Sequence, residues 1–176
     1  FLVPEKIDLA ITSPPYINAF DYGRTMRLEN LWMATLTEEK LREKKSLYVG
    51  TEKINVKQEK SELAILEKSS LLKSYYYDIV EKDEKRALIV KKFFEDMQDN
   101  LNSVYGQMNA GGKYVIVIGN STIRKVNVES WKVIKEIAND IGFKTIQYFN
   151  YIIQNPYIRI PRKGMGGKIS KDYVLV

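Results

Sequence analysis

The sequence predicts an α/β domain with a mostly parallel sheet, and three observations point there. Ile7–Thr12 is a short, mostly apolar run cut off by Ser13-Pro14-Pro15. Lys113–Ile118 (KYVIVI) is a near-continuous β-branched run, and helical patterns of apolar residues separate these strand signals. Helices between strands make crossovers, and crossovers make neighbouring strands parallel. A chain of 176 residues has the size of one ordinary domain. Residues 1–176 are therefore read as a single unit with a helical insertion over about 37–105.

Taken in order, Ile7–Thr12 reads as a buried strand running straight into a rigid loop. Neither Pro14 nor Pro15 donates a backbone N–H, and each constrains its predecessor. From Asp21 to about Leu36, the residues Leu28, Leu31, Trp32 and Leu36 fall at helical intervals. Residues 37–75 are rich in Lys and Glu and read as exposed helices with a mobile connector, part of 44–62 being expected to be disordered. After Tyr75-Tyr76-Tyr77 a long helical segment is expected through Tyr105. Its packed stripe is Leu88, Phe94, Met97, Leu101, Val104 and Met108, and its opposite face holds Lys91, Glu95, Gln98 and Asn102.

Gly111-Gly112 reads as a turn, and KYVIVI as a strand buried on both faces, ended by Gly119-Asn120. Val128–Ile141 is a second amphipathic helix, with Trp131, Ile134, Ile137, Ala138 and Ile141 inward and Gly142 as its stop. Thr145–Ile153 is a further strand, Arg159–Lys168 a basic loop with three glycines, and Tyr173–Val176 the last strand. No helical pattern joins the last two strands, so they are free to pair antiparallel. Four strands are few for a doubly wound domain, which points to a missing half.

Composition excludes several chemistries. There is no Cys and no His, which rules out a disulfide framework, a cysteine nucleophile, Ser-His-Asp catalysis and thiolate or His-ligated metal, so no metal is expected. No apolar run approaches the roughly 18 residues of a membrane span, and no signal peptide is visible. The expected location is cytoplasmic, with no membrane partner. The net charge is +6 and uneven: residues 106–176 carry 11 basic and 4 acidic side chains, while 1–36 carry 3 and 4 and 37–105 carry 14 of each. A localised positive field suits a polyanion, because Lys and Arg facing phosphates release counterions.

The segment that carries chemistry is Thr12-Ser13-Pro14-Pro15-Tyr16, at the carboxyl end of a strand, where open α/β sheets bind ligands. Ser13 offers a hydroxyl acceptor and the Pro14 carbonyl a second. The prolines hold both in place, so little reorganisation is needed as charge develops. Tyr16 offers a flat face for stacking. Two acceptors and a stacking platform suit a planar base bearing an NH₂ group, whose nitrogen becomes nucleophilic once its lone pair leaves conjugation.

Ser13-Pro14-Pro15-Tyr16 resembles the catalytic signature of the amino-group DNA methyltransferases, which read Ser, Asp or Asn, then Pro-Pro-Tyr or Pro-Pro-Phe, after a strand. Asp21-Tyr22 with Arg24, Leu28–Trp32, Phe93–Met97, Gly111–Asn120 and Lys171–Val176 look like later stretches of one subgroup. The resemblance covers most of the chain, and only the Ser-Pro-Pro-Tyr element is specific. It implies a partial Rossmann-like methyltransferase sheet, mostly parallel with an antiparallel last strand. It further implies transfer of a methyl group from S-adenosylmethionine to the exocyclic amine of a base flipped out of double-stranded DNA. The Ser version favours cytosine N4 over adenine N6.

By position, Ser13 and the Pro14 carbonyl would hold the amine, Pro15 would shape the turn and Tyr16 would stack on the base. Asp21, Tyr22, Arg24 and Asn120 are candidate substrate contacts, and Arg159, Arg162, Lys163 and Lys168 candidate DNA contacts. The family's glycine-rich cofactor loop has no counterpart. Gly164-Met165-Gly166-Gly167 has no helix after it, so it does not serve. The cofactor half is expected to precede Phe1, and this piece alone to be inactive. Two other readings stand beside this one: an RNA or protein-glutamine methyltransferase, and a non-catalytic module that binds DNA or a partner.

Overall fold

The computed structural model describes residues 5–17, 25–33, 37–45, 47–154 and 169–176. Its main sheet has the order β1-β2-β6-β5. β1 (Ile7–Thr12) runs parallel to β2 (Met108–Gly119), with Thr12 facing Ile116. On the other side of β2 lies β6 (Lys171–Leu175), antiparallel to it, and β5 (Tyr148–Ile152) pairs antiparallel with β6. Three strands thus point one way and the last in the chain runs against them. The reversed final strand was expected, but because it lies between β2 and β5 only the β1–β2 pairing is parallel, and the sheet is mixed rather than mostly parallel.

Two strand expectations need correction. Gly111-Gly112 is not a turn, because β2 begins at Met108, directly after a helix, and runs through both glycines. The register with β1 slips between Ile7 and Leu9, and Gly111 takes φ +80° there. β2 takes up three more residues than β1 across this irregularity, and glycine accepts the left-handed backbone without a Cβ clash. Nor is β1 or β2 buried on both faces. Tyr114, Ile116 and Ile118 are buried on one side of β2, while Val115 and Val117 on the other are only half-buried. Leu9 and Ile11 of the edge strand β1, on the side of Val115, are 55% and 68% exposed.

The insertion is ordered by caps and burial rather than by helix propensity. α1 (Arg27–Trp32) buries nothing and leaves Trp32 86% exposed. α2 (Glu38–Lys44), α3 (Val56–Ser61), α4 (Ser70–Val80) and α5 (Glu84–Gln107) are each N-capped, by Thr37, Asn55, Ser69 and Asp83. In each case the cap side chain accepts a backbone N–H of the first turn. A 3₁₀ turn at Ala64–Glu67 sends Ile65 and Leu66 inward. The Tyr75–Tyr77 run lies within α4, with Tyr76 buried and edge-to-face with Tyr77.

Lys91 was expected on the solvent face of the long helix, and it is fully buried. Its Nζ lies 2.6 Å from the Glu62 carbonyl, 2.7 Å from Glu59 Oε2 and 2.8 Å from Glu95 Oε1. The Glu59 contact is an ion pair rather than a directed hydrogen bond. α3 covers that side of α5, which is why residues 47–62 have a definite place instead of forming a loose connector. The packed stripe correspondingly widens to include Ala87, Ile89, Val90 and Phe93.

After β2, Ser121–Ile123 (β3) and Val126–Val128 (β4) form a hairpin. Its turn residues Arg124 and Lys125 have φ of 49° and 67°, so no Asn-Gly announces it in the sequence. α6 (Ser130–Ile141) ends at Gly142, φ +121°. Its Trp131, Ile134, Ile137 and Ala138 pack with α5 against the Tyr114–Ile116–Ile118 side of the sheet, and Ile141 is half-buried. No described helix is long and apolar enough to cross a membrane.

Candidate active site at the corner after β1

β1 delivers the chain to the carboxyl edge of the sheet, and Ser13–Ile17 turn away from it. Ser13 is exposed, Pro14 and Ile17 are buried, and Pro15 and Tyr16 lie between. Ile17 is anchored in the hydrophobic core, and its carbonyl accepts the Ser121 hydroxyl at 3.3 Å. From the insertion, Gly50 (φ +79°) brings its backbone close to the Pro15 ring and the Tyr16 carbonyl; a Cβ there would lie 3.8 Å from each. The corner is therefore held by β1, by the hairpin after β2 and by the insertion, while Ser13 stays exposed.

The Tyr16 side chain lies over Gly119, the last residue of β2. A Cβ on Gly119 would stand 3.1 Å from Tyr16 Cε2 and 2.7 Å from Ile169 Cγ2, so only glycine leaves room for the ring. The phenol donates to Asp172 Oδ1 at 2.6 Å, and Tyr151 donates to Asp172 Oδ2 at 3.0 Å. Burial first, and the Asp172 carboxylate second, hold the Tyr16 proton well above the ordinary tyrosine range, while the Ser13 hydroxyl against the same oxygen pulls the other way. Hydrogen bonding to Asp172 likewise raises Tyr151. At neutral pH both side chains are phenols with their protons aimed at one carboxylate.

Asn120 follows at the end of β2. Its Oδ1 is buried with no hydrogen-bond partner, and the residue lines a cavity of about 210 Å³ with Thr122, Asn127 and Lys171. A buried acceptor without a donor calls for one, which keeps Asn120 a candidate contact, although neither Ser13 nor Tyr16 lines that cavity. A larger cavity, about 520 Å³, lies at the opposite end of β2 between Met108–Tyr114 and Phe143–Ile146, away from this corner. Asp21, Tyr22, Arg24, Arg159, Arg162, Lys163 and Lys168 lie outside the described residues, as do the Gly164–Gly167 loop and the strong part of the basic patch.

The residues missed from the sequence are Gly119, Asp172 and Tyr151. Gly119 carried a signal, a glycine closing a buried strand. Asp172 and Tyr151 carried none, because only the pairing of β6 with both neighbours brings them to the corner. Among the described residues, no glycine-rich turn joins a strand to a helix in the manner a nucleoside cofactor requires. Among them, too, no group of three or more acidic side chains is placed to hold a metal ion.

The chain is 27% identical over 173 residues to the type II methyltransferase M.MvaI of Kocuria varians, an alignment covering 94% of this chain and 36% of that protein. It thus spans about a third of the relative's length. No protein-family model matches the chain, and no solved structure matches it. The similarity supports a relationship to a DNA methyltransferase and leaves the methylated atom open.

Proposed function

We propose that residues 1–176 form the target-base portion of an S-adenosylmethionine-dependent DNA methyltransferase acting on an exocyclic amine, cytosine N4 before adenine N6. One observation carries this reading: a proline-stiffened corner at the carboxyl end of β1 leaves Ser13 exposed beside a Tyr16 ring fixed over Gly119. The extended similarity to a type II methyltransferase supports it. In this reading the sheet is the partial Rossmann-like sheet of a methyltransferase.

The residues divide the task. Ser13 Oγ and the Pro14 carbonyl accept the two N–H bonds of the amine, which turns its lone pair out of conjugation. Because both acceptors are fixed before the base arrives, little reorganisation accompanies the developing charge. Tyr16 stacks on the flipped base and excludes water from one of its faces. Asn120, with its unpartnered acceptor, and Asp21, Tyr22 and Arg24 are assigned to the base and its surroundings. Arg159, Arg162, Lys163 and Lys168 are assigned to the DNA phosphates. S-adenosylmethionine would supply the methyl group, and its cradle is assigned to residues outside those described.

The test uses the complete gene product, duplex DNA and radiolabelled S-adenosylmethionine. Ser13→Ala is expected to lower transfer by about a hundredfold and Tyr16→Ala by more, roughly the scale of losing a pre-aimed polar contact. Both variants keep their melting temperature. Wild-type rates in both would refute the site. A non-catalytic module is the second reading, favoured by the lack of a glycine-rich loop among the described residues; failure of the complete product to bind S-adenosylmethionine in calorimetric titration would establish it.

A further inference from the structure

We propose that Asp172 is the positioning residue of this corner, orienting the Tyr16 hydroxyl and through it the Ser13 hydroxyl, with Tyr151 fixing the rotation of its carboxylate. The proposal rests on the amine-methylation reading and deepens it.

The strand register supplies the geometry. Gly119 of β2 faces Asp172 of β6, and Asp172 faces Tyr151 of β5, so the three form one row on one side of the sheet. Only Gly119 in that row lacks a side chain, and the Tyr16 ring crosses the row at that place. A Cβ there would also come within 3.1 Å of Asp172 Oδ1. The two carboxylate oxygens then receive one phenol each, Tyr16 at 2.6 Å and Tyr151 at 3.0 Å. With both oxygens engaged, the carboxylate cannot turn without breaking a hydrogen bond.

Proton counting gives the consequence. A phenol has one proton and otherwise only lone pairs. With that proton committed to Asp172, the Tyr16 oxygen has only lone pairs left to offer the Ser13 hydroxyl, in keeping with the downward pull of Ser13 on the Tyr16 proton. Ser13 then points its own proton at Tyr16 and presents only lone pairs outward. That is the polarity an incoming N–H needs, an acceptor with no competing donor. Without Asp172, the Tyr16 proton is free to turn toward Ser13, and the Ser13 proton toward the substrate amine. The carboxylate therefore sets the direction of every hydrogen bond in the chain from Tyr16 to the base.

The experiment measures kcat and KM for duplex DNA in the complete gene product. Asp172→Asn keeps the shape and gains a donor; it is expected to lower kcat by at least about tenfold with KM for DNA changed less than twofold. Tyr151→Phe should lower kcat by a smaller factor. Tyr16→Phe, which keeps the ring, should match Asp172→Asn, and the double variant should be no slower than the slower single one. Should Asp172→Asn fail to fold, the two tyrosine-to-phenylalanine changes decide alone, since each removes one hydroxyl. A wild-type kcat in Asp172→Asn, or in Tyr16→Phe, overturns the proposal, and so do independent, multiplying effects. If Ser13→Ala abolishes transfer while these variants do not, only this proposal falls. If the wild-type protein methylates no DNA, the functional reading falls and this proposal with it.

Discussion

At the scale of single residues, the corner depends on one missing side chain. Gly119 has to be glycine for steric reasons: its φ is unremarkable, but Tyr16 and Ile169 occupy the space of a Cβ. Gly119→Ala should push the Tyr16 ring off Asp172. The expected result is a loss of methyl transfer approaching that of Tyr16→Phe, with a destabilisation of about 1–3 kcal/mol from overpacking, read by activity and urea denaturation side by side. Unchanged activity would show that the ring position is immaterial. Ser13, Pro14, Pro15 and Tyr16 could be proposed from the sequence because they are four consecutive residues. Asp172 and Tyr151 were not, because each is 21 or more residues distant from its partner and only the antiparallel pairing of β6 joins them.

Individual elements show the same division. Periodicity locates α6 to within two residues at its start and at Gly142 at its end, because one face of the helix is continuously buried. The β3–β4 hairpin escaped, because its turn uses Arg124 and Lys125 in place of glycine or asparagine. What holds that turn is remote in sequence: Arg124 Nε and Nη2 lie 2.8 Å and 2.5 Å from Asp83 Oδ2, while Asp83 Oδ1 caps α5 at the Arg86 N–H. Burial opposes ionisation of Asp83 but is outweighed by the hydrogen bond from Arg124 and that from the Arg86 backbone, so its carboxyl sits below the ordinary aspartate range. A depressed carboxyl stabilises the fold above the unfolded value, about pH 3.9, and that contribution fades as pH falls through the lower folded value. Asp83→Ala should cost about 1–2 kcal/mol near neutral pH, mostly as a lost cap. The difference from wild type should shrink below about pH 4. Equal stability at pH 7 would contradict the double role of this carboxylate.

For the molecule as a whole, α5 and α6 pack on one side of the sheet, and the insertion is tied to α5 through a buried charge. Lys91 has no access to solvent, and its ammonium links Glu59 of α3 to Glu95 of its own helix. Burial foremost pushes the Glu95 carboxyl up, against the pull of Lys91. Lys91→Met should destabilise the protein by about 3–5 kcal/mol, since it strands a buried carboxylate; a loss under about 1 kcal/mol would mean that α3 contributes little to the core. Charge patterning misplaced Lys91, because an i, i+4 Lys–Glu pair reads as a solvated face until another helix covers it. The reversed last strand was legible, since no helical pattern joins it to the strand before, whereas its place between β2 and β5 was not. The exposure of Leu9 and Ile11 was not, because apolarity alone does not say what covers a face.

The reading of this corner as a nucleobase-amine site is tested most directly by identifying the product. DNA incubated with the complete gene product and S-adenosylmethionine is digested to nucleosides and analysed by mass spectrometry, for the wild type and for Ser13→Ala. The expected result is N4-methylcytosine from the wild type and almost none from the variant. Methylation at a ring carbon, or equal yields from the two proteins, would contradict it.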